Sequence, residues 1–241
     1  MKALIFAAGL GERMRPLTLH TPKPLLQAGG KPVIEWHLEK LAAIGVDEVI
    51  VNTSWLAEQF PATLGDGSRW GLRLHFSYEG DTPLETGGGM LLALKRLREG
   101  RDANAPFLVI NGDIWTDYDF ASLPRAFDGD AHLVLVDNPS QHPHGDFQLD
   151  GDRLRNEGES KLTYSGIGLY RASLFDDWRA ILGDAPGAQL TPPRFKTVPL
   201  LREAATHGRI GGEHHRGRWT DVGTVERLQQ LDAALAAAAN G

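Results

Sequence analysis

The chain contains no cysteine, which excludes a disulfide framework, a thiolate nucleophile, an iron–sulfur cluster and any Cys-ligated zinc. The cytoplasm, a reducing compartment, is the expected setting. No apolar run approaches the roughly 20 residues that span a bilayer. The opening stretch Met1–Leu10 imitates the core of a signal peptide, yet Gly11-Glu12-Arg13-Met14-Arg15-Pro16 brings charge at once and no small-residue cleavage pattern follows. Blocks of one charge are also missing. Lys+Arg 25 against Asp+Glu 31 leave a formal net charge of −6, with the basic residues scattered, which argues against nucleic acid or a membrane surface as partner. There is no internal repeat, heptad pattern or low-complexity linker. What remains is an ordinary globular composition, 41% hydrophobic and 23% charged over 241 residues, expected to form one domain, 1–241, as a monomer or small homo-oligomer.

Periodicity predicts an α/β fold. Lys2–Ala8 is a continuous apolar run bounded by glycine, as in a strand buried on both faces. A helix follows, with Pro32 in its first turn, Ile34, Leu38 and Leu41 on one face, and Gly45 at its end. Asp47–Thr53 reads as the second strand, Ser54–Leu64 as a short helix broken by Pro61, Leu72–Tyr78 as the third strand, Met90–Arg98 as a helix, and Pro106–Ile110 as the fourth strand. That rhythm predicts a Rossmann-like, mostly parallel sheet flanked by helices. After Ala131–Val136 the pattern turns to Gly/Asp/Asn-rich pieces at Asp146–Asp150, Arg153–Asn156 and Thr163–Tyr170, with helical patterns at Ala172–Leu182, Lys196–Ala205 and Thr224–Ala239. The expected division is a first half, 1–137, and a smaller mixed half, 138–241.

Ligands of open parallel sheets sit at the carboxyl ends of the strands, and the segments there are unusual. Strand one runs into Ala8-Gly9-Leu10-Gly11-Glu12-Arg13-Met14-Arg15-Pro16. Its glycines let backbone N–H groups approach a phosphate and its arginines can neutralise it. Thr21-Pro22-Lys23-Pro24-Leu25 sets one lysine between prolines, on an expected extended rail. Strand three leads to Thr82-Pro83-Leu84-Glu85-Thr86-Gly87-Gly88-Gly89, which permits flat backbone contact with a ring or anion. Strand four ends in Asn111-Gly112-Asp113, and a second acid stands in Arg218-Trp219-Thr220-Asp221-Val222-Gly223-Thr224. Each feature alone has a plain alternative: a glycine turn, a solvated lysine, a surface loop, a helix cap.

Context removes the usual nucleotide motifs. A dinucleotide loop needs a third glycine where Met14 stands and a helix directly after it, which Pro16, Pro22, Pro24 and Pro32 forbid. The G-x-x-x-x-G-K-[ST] pattern is absent, and Asp113-Ile114-Trp115 lacks the second acid of a metal-dependent glycosyltransferase. Two carboxylates beside a phosphate-binding loop instead describe a Mg²⁺ site, because Mg²⁺ takes one or two carboxylates plus phosphate oxygens. Phosphoryl-type transfer is the chemistry such parts serve. His142, His144, His214 and His215 read as solvated histidines, and Trp115 and Trp219 as walls of a cleft.

AAGLGERMRPLT with the downstream PKPLL, PLETGGG, NGD and WTDVGT together resemble the sugar-1-phosphate nucleotidyltransferases over nearly the whole length. Within that family the compact size and PLETGGG…NGDIWTDYDF are most similar to the uridylyltransferases of peptidoglycan recycling. That resemblance implies a nucleoside triphosphate, UTP, and a sugar 1-phosphate, N-acetylmuramate 1-phosphate, as substrates. Guanylyl transfer to mannose 1-phosphate, thymidylyl or uridylyl transfer to glucose 1-phosphate, and a non-catalytic nucleotide-sugar-binding role are the alternatives. The resemblance further implies that Ala8, Gly9, Gly11, Glu12 and Arg13 hold the triphosphate and that Lys23 contacts the α-phosphate. Arg13 and Lys23 would be catalytic, Thr86, Gly87 and Gly88 would border the base, and Asn111 would meet the nucleotide sugar. Asp113 and Asp221 would bind Mg²⁺. Gly145, Asp146 and Gly166 would contact the sugar. Where many relatives carry Glu-Lys-Pro this chain has Asn156-Glu157-Gly158-Glu159-Ser160-Lys161-Leu162, so that role falls to Glu159 or Lys161.

Overall fold

The first apolar run folds as expected. In a computed structural model, which describes residues 1–239, strand β1 spans Lys2–Phe6 with Ala3, Leu4 and Ile5 fully buried. In chain order there follow β2 (Gln27–Ala28), β3 (Lys31–Pro32), α1 (Val33–Ala43), β4 (Glu48–Thr53), α2 (Gln59–Leu64), β5 (Arg73–Tyr78), α3 (Glu85–Arg98), β6 (Phe107–Asn111) and β7 (Ile114–Thr116). Next come β8 (Ala131–Val136), β9 (Phe147–Asp150), β10 (Arg153–Arg155), β11 (Lys161–Tyr170), α4 (Trp178–Leu182), α5 (Val198–Thr206), β12 (Ile210–His215), β13 (Trp219–Asp221) and α6 (Val225–Ala239). No helix among the described residues is long and apolar enough to cross a membrane.

These elements gather into two compact units that do not follow a cut at 137/138. The first takes Met1–Pro83, Ile110–Ala121 and the chain from Arg218 onward; the second takes Leu84–Val109 and Ser122–Gly217. The C-terminal stretch with Asp221 therefore belongs with the N-terminal strands, a pairing that no local sequence signal announces.

In the first unit β5, β4 and β1 lie side by side and parallel, with Lys2 opposite Glu48 and Glu48 opposite Arg73. All six residues of β4 are buried, as a central strand requires. Lys2 and Glu48, both buried, pair at 3.1 Å. In the second unit β8 runs antiparallel to β11 and parallel to β12, β10 joins β12 to β9, and β9 returns to β11. The mixed strands thus form a closed ring of pairings. Gly211-Gly212 make this closure possible: a Cβ at Gly212 would come 2.8 Å from Leu154, and the Gly212 N–H donates to the Asp152 carbonyl at 2.9 Å. Beyond Tyr164 a bulge interrupts the β11–β8 register. The Ser165 hydroxyl fills the gap by donating to the Val134 carbonyl at 2.7 Å and accepting from the Ile167 N–H at 3.2 Å.

Helix α3 begins earlier than expected, at Glu85, so Gly87 and Gly88 lie inside its first turn and not in a loop ahead of it. The reason is packing. A Cβ at Gly87 would come 2.4 Å from the Phe195 ring, and one at Gly88 would come 2.4 Å from the Pro193 carbonyl oxygen. The Gly87 and Gly88 N–H groups, which the helix cannot satisfy, donate to the Phe195 carbonyl at 2.8 and 3.1 Å. Gly88→Ala is expected to lower the unfolding free energy by about 1–3 kcal/mol, the usual range for an overpacked site. A urea midpoint equal to that of the unsubstituted protein would show that the 193–195 segment yields freely.

Candidate active site

The glycine loop leaves β1 under tight control. Buried Asn52 at the end of β4 accepts the Ala7 N–H at 2.6 Å, and its amide donates to buried Glu79 at 2.6 Å. The loop then makes a 3-10 turn over Glu12–Met14 that drives Met14 into the core and leaves Glu12 and Arg13 exposed; Arg15 stands 3.6 Å from Glu12. Gly11 is left-handed, with φ 64, and its carbonyl accepts the Thr18 hydroxyl at 2.8 Å. At Gly9 a Cβ would meet nothing within 4 Å. Gly9 is thus the loop position where backbone stays open to an approaching group.

The Pro-Lys segment departs from the expected extended rail. Lys23–Leu25 form one 3-10 turn with Pro24 buried, because a proline near the start of a helical turn forfeits only an N–H that has no partner there. The turn still aims its lysine: Lys23 Nζ, on a side chain 12% exposed, donates to Asp113 Oδ2 at 2.5 Å.

Two strands that the sequence hides bring the acids together. Strand β7 pairs antiparallel with β13, Asp221 opposite Ile114, and the Val222 N–H donates to the Asp113 carbonyl at 2.7 Å. Asp113 and Asp221 therefore stand at one end of one ribbon. Arg227 holds Asp221 Oδ1 at 2.8 Å. Helix α1 supports the same ribbon, because the Lys40 ammonium donates to the Thr116 and Tyr118 carbonyls at 2.6 and 2.9 Å and the His37 ring nitrogen Nε2 bonds the Ile114 carbonyl at 2.9 Å. Beneath it Met14, Trp115, Val222, Leu228, Leu231 and Leu235 share a buried cluster. Trp115, expected to wall a cleft, is only 7% exposed and meets Trp36 edge-on at 6.3 Å.

The donor set suits a hard divalent cation. Both acids are carboxylates on half-buried side chains, and among the described residues no group of three or more His, Asp or Glu could hold an ion unaided. Phosphate oxygens would have to complete the shell, as Mg²⁺ prefers. Asn111, the last residue of β6, stands two positions before Asp113 and is half-buried.

The second unit holds the remaining candidates. Thr86 accepts the Thr197 N–H on its hydroxyl at 2.9 Å. With the Gly87 and Gly88 N–H groups already bonded, flat contact with a ring is left to the remaining faces of this turn. Gly145, with φ 60, lies against the start of β11, where a Cβ would come 2.8 Å from the Lys161 carbonyl. The Asp146 N–H donates to the Leu162 carbonyl at 2.8 Å, while its carboxylate accepts the Tyr164 N–H at 2.8 Å and meets His142 at 3.1 Å. Gly145, Asp146 and Lys161 thus form one cluster. Lys161 pairs with Glu157 at 3.1 Å, whereas Glu159 is exposed in the preceding turn. Gly166, with φ 85, sits in the bulge of β11. Two histidines read as solvated are bonded to acids, His142 as above and His214 to Asp137 at 2.9 Å.

A family model described as nucleotidyl transferase matches residues 2–147. The chain belongs to this family, in its sugar-1-phosphate branch. It is similar to the N-acetylmuramate alpha-1-phosphate uridylyltransferase of Neisseria meningitidis serogroup B, 44% identical over 98% of this chain and 99% of that one. The protein of that description from Caulobacter vibrioides is 33% identical over 98% and 97% of the two chains. A rice protein described as a mannose-1-phosphate guanylyltransferase is 38% identical over 92% of this chain but 61% of its own. In fold the chain is similar to a crystal structure of a Bacillus anthracis protein, described as a glucose-1-phosphate thymidylyltransferase and solved with a sucrose. The TM-score is 0.81 at 22% identity, covering 98% of this chain and 95% of that one.

Buried His37 generates a pH prediction. Loss of hydration, the largest influence, lowers its pKa from 6.5 to about 4; nearby Lys40 acts the same way, and the Ile114 carbonyl and Asp113 oppose it. The unfolded chain takes up a proton below pH 6.5 that the folded chain refuses until about pH 4. Stability is therefore full above pH 6.5 and falls as the pH drops toward 4, by up to ~3 kcal/mol from this residue. His37→Gln, neutral throughout, is expected to flatten that decline; equal losses between pH 7 and pH 5 in urea unfolding of both proteins would reject the assignment.

Proposed function

We propose that this protein makes UDP-N-acetylmuramate and pyrophosphate from UTP and N-acetylmuramate 1-phosphate, as a Mg²⁺-dependent enzyme of peptidoglycan recycling in the cytoplasm. The observation that carries the substrate assignment is the end-to-end match to the uridylyltransferases, 44% identical in one case. Guanylyl transfer to mannose 1-phosphate has less behind it, since this chain spans 61% of the guanylyltransferase relative.

The chemistry follows from the side chains. A phosphate oxygen of the sugar 1-phosphate attacks the α-phosphorus of UTP in line, the bond to the bridging oxygen of the β-phosphate breaks, and pyrophosphate leaves with that electron pair. The nucleophile is already anionic, so no general base is needed. Open backbone at Gly9 would admit the triphosphate, with Ala8, Gly11, Glu12 and Arg13 around it and Asn111 at the nucleotide sugar. Lys23 would turn from Asp113 to the α-phosphate, where it and Arg13 offset the charge that develops in transfer. Asp113 and Asp221 would hold Mg²⁺, which supplies charge neutralisation on the triphosphate when bound. Thr86, Gly87 and Gly88 would border the uracil.

Lys23→Ala is expected to keep its far-ultraviolet dichroism and lose roughly 10²–10³ in turnover, the usual cost of one preorganised charge donor. Turnover within tenfold of the unsubstituted enzyme would remove Lys23 from catalysis.

The sugar assignment rests on a lactyl carboxylate that glucose, mannose and N-acetylglucosamine lack. Gly145, Asp146, Gly166 and Glu159 would frame the sugar, and Lys161, beside Gly145 and Asp146, is the cation assigned to that carboxylate. Arg171 is committed elsewhere, donating to the Phe127 and Asn104 carbonyls at 2.9 and 3.3 Å. A charged contact of this kind is worth about 1.5–3 kcal/mol, roughly tenfold to a hundredfold in discrimination. Pyrophosphate release over a matrix of nucleoside triphosphates and sugar 1-phosphates should peak at UTP with N-acetylmuramate 1-phosphate, and Lys161→Met should narrow the gap to N-acetylglucosamine 1-phosphate. Equal kcat/KM for the two sugars in the unsubstituted enzyme would sink the muramate assignment.

A further inference from the structure

Arg227 is a charged residue of the first unit for which no sequence pattern suggested a role, and its placement runs against local preference. Thr224 caps helix α6, its hydroxyl accepting the Arg227 N–H at 3.3 Å. Arg227 thus stands third in the helix, where a capping box carries Glu or Gln and where the helix dipole favours an anion. Such a conflict between local preference and structure marks a position with another duty. The guanidinium turns back over the helix start and bonds Asp221 Oδ1 at 2.8 Å, on a side chain 17% exposed, and its Nε is buried with no hydrogen-bond partner. Space for it comes from Gly223. A Cβ at Gly223 would lie 2.1 Å from the Arg227 Nη2 atom, yet this glycine has no left-handed φ that would demand it.

The two acids therefore carry different cations. Lys23 on Asp113 has a substrate to turn to, whereas Arg227 is boxed against Gly223 and stays with its carboxylate. We propose that Arg227 is the positioning residue of the cation site, fixing the plane of the Asp221 carboxylate, and that Gly223 is the notch that admits it. This rests on the reading of Asp113 and Asp221 as the metal acids. Partners that orient a ligating carboxylate commonly change metal affinity 10–100-fold when removed.

The test measures Mn²⁺ binding to the full-length protein with UTP and no sugar phosphate, by the paramagnetic resonance of free Mn²⁺, so that no turnover is involved. Arg227→Met is expected to weaken binding about 10–100-fold, and Arg227→Lys to recover part of it. Gly223→Ala leaves both charges in place but pushes the guanidinium aside; it should weaken binding alone and add nothing in the Arg227→Met background, since neighbours acting through one contact are not additive. Asp221→Asn is the control. If it abolishes binding while Arg227→Met stays within twofold of the unsubstituted protein, the positioning role is overturned and the metal assignment stands. If Asp221→Asn leaves binding unchanged, the metal assignment itself fails. Fully additive effects of Gly223→Ala and Arg227→Met would overturn the notch.

Discussion

The hydrogen bond from the Val222 N–H to the Asp113 carbonyl is the constraint on which the candidate site of this chain depends. It joins the turn after β6 to the last strand, β13, and sets the register in which Asp221 faces Ile114. By itself such a bond contributes about 1 kcal/mol net. The hold comes from below, where Met14, Trp115, Val222 and three leucines of α6 are each less than a tenth exposed. Burying one such side chain contributes about 1.5–3 kcal/mol, so the apolar cluster outweighs the bond several-fold. Packing supplies the strength and the hydrogen bond supplies the alignment. A slip of one residue between β7 and β13 would turn Trp115 out of the core, so the register is enforced by the cluster as well.

That cluster also couples the separate parts of the candidate site. Met14 belongs to the glycine loop after β1, Trp115 to the strand after Asp113, Val222 follows Asp221, and α6 carries Arg227. A shift in any one is felt by the others through close-packed side chains. The charges above the cluster are less tightly bound. The Lys23–Asp113 pair joins a lysine side chain 12% exposed to a carboxylate side chain 36% exposed, so water reaches it from the carboxylate side. Under the proposed function a triphosphate would compete for Lys23 at that open side, whereas moving the ribbon would cost core packing. Rigid acids and a releasable lysine are what the proposed substrate-assembled metal site would require.

The parts of the fold that were legible in the sequence are those with strong apolar patterning. Strands β1, β4, β6 and β8 and helix α1 fall within a residue or two of expectation, because continuous apolar runs leave few other solutions. Strands β7, β12 and β13 carry no such patterning. Ile114–Thr116 and Trp219–Asp221 have three residues each, too short for a period. Strand β12 contains Gly211-Gly212, which reads as a breaker when taken alone; the close approach of the Leu154 side chain and the Leu133 carbonyl to Gly212 explains it. The acids themselves were legible from motif resemblance, but their meeting at one ribbon was not, since it depends on pairing between segments far apart in sequence. Arg227 does not stand out in the sequence, because arginine on a helix is usually solvated. Its signal was present as a Thr-x-x-Arg start where Thr-x-x-Glu is the rule, preceded by a glycine with no turn to make.

The glycines separate ligand binding from packing, and the separation is physical. Gly88 and Gly223 would each place a Cβ within 2.4 Å of another atom, a carbonyl oxygen or a guanidinium nitrogen, and Gly11 is left-handed with Thr18 against it. These three answer to atoms of the chain itself, and any ligand must take what their backbones leave. Gly9 differs, because no atom of the chain stands within 4 Å of where its Cβ would be and its φ is not left-handed. A glycine that neither packing nor conformation requires, at the end of the first parallel strand and beside a cation turn, is best explained by a group that comes from outside. Under the proposed function the triphosphate would be that group, and the Ala7 N–H, held by Asn52 at 2.6 Å, fixes the backbone that leads to it.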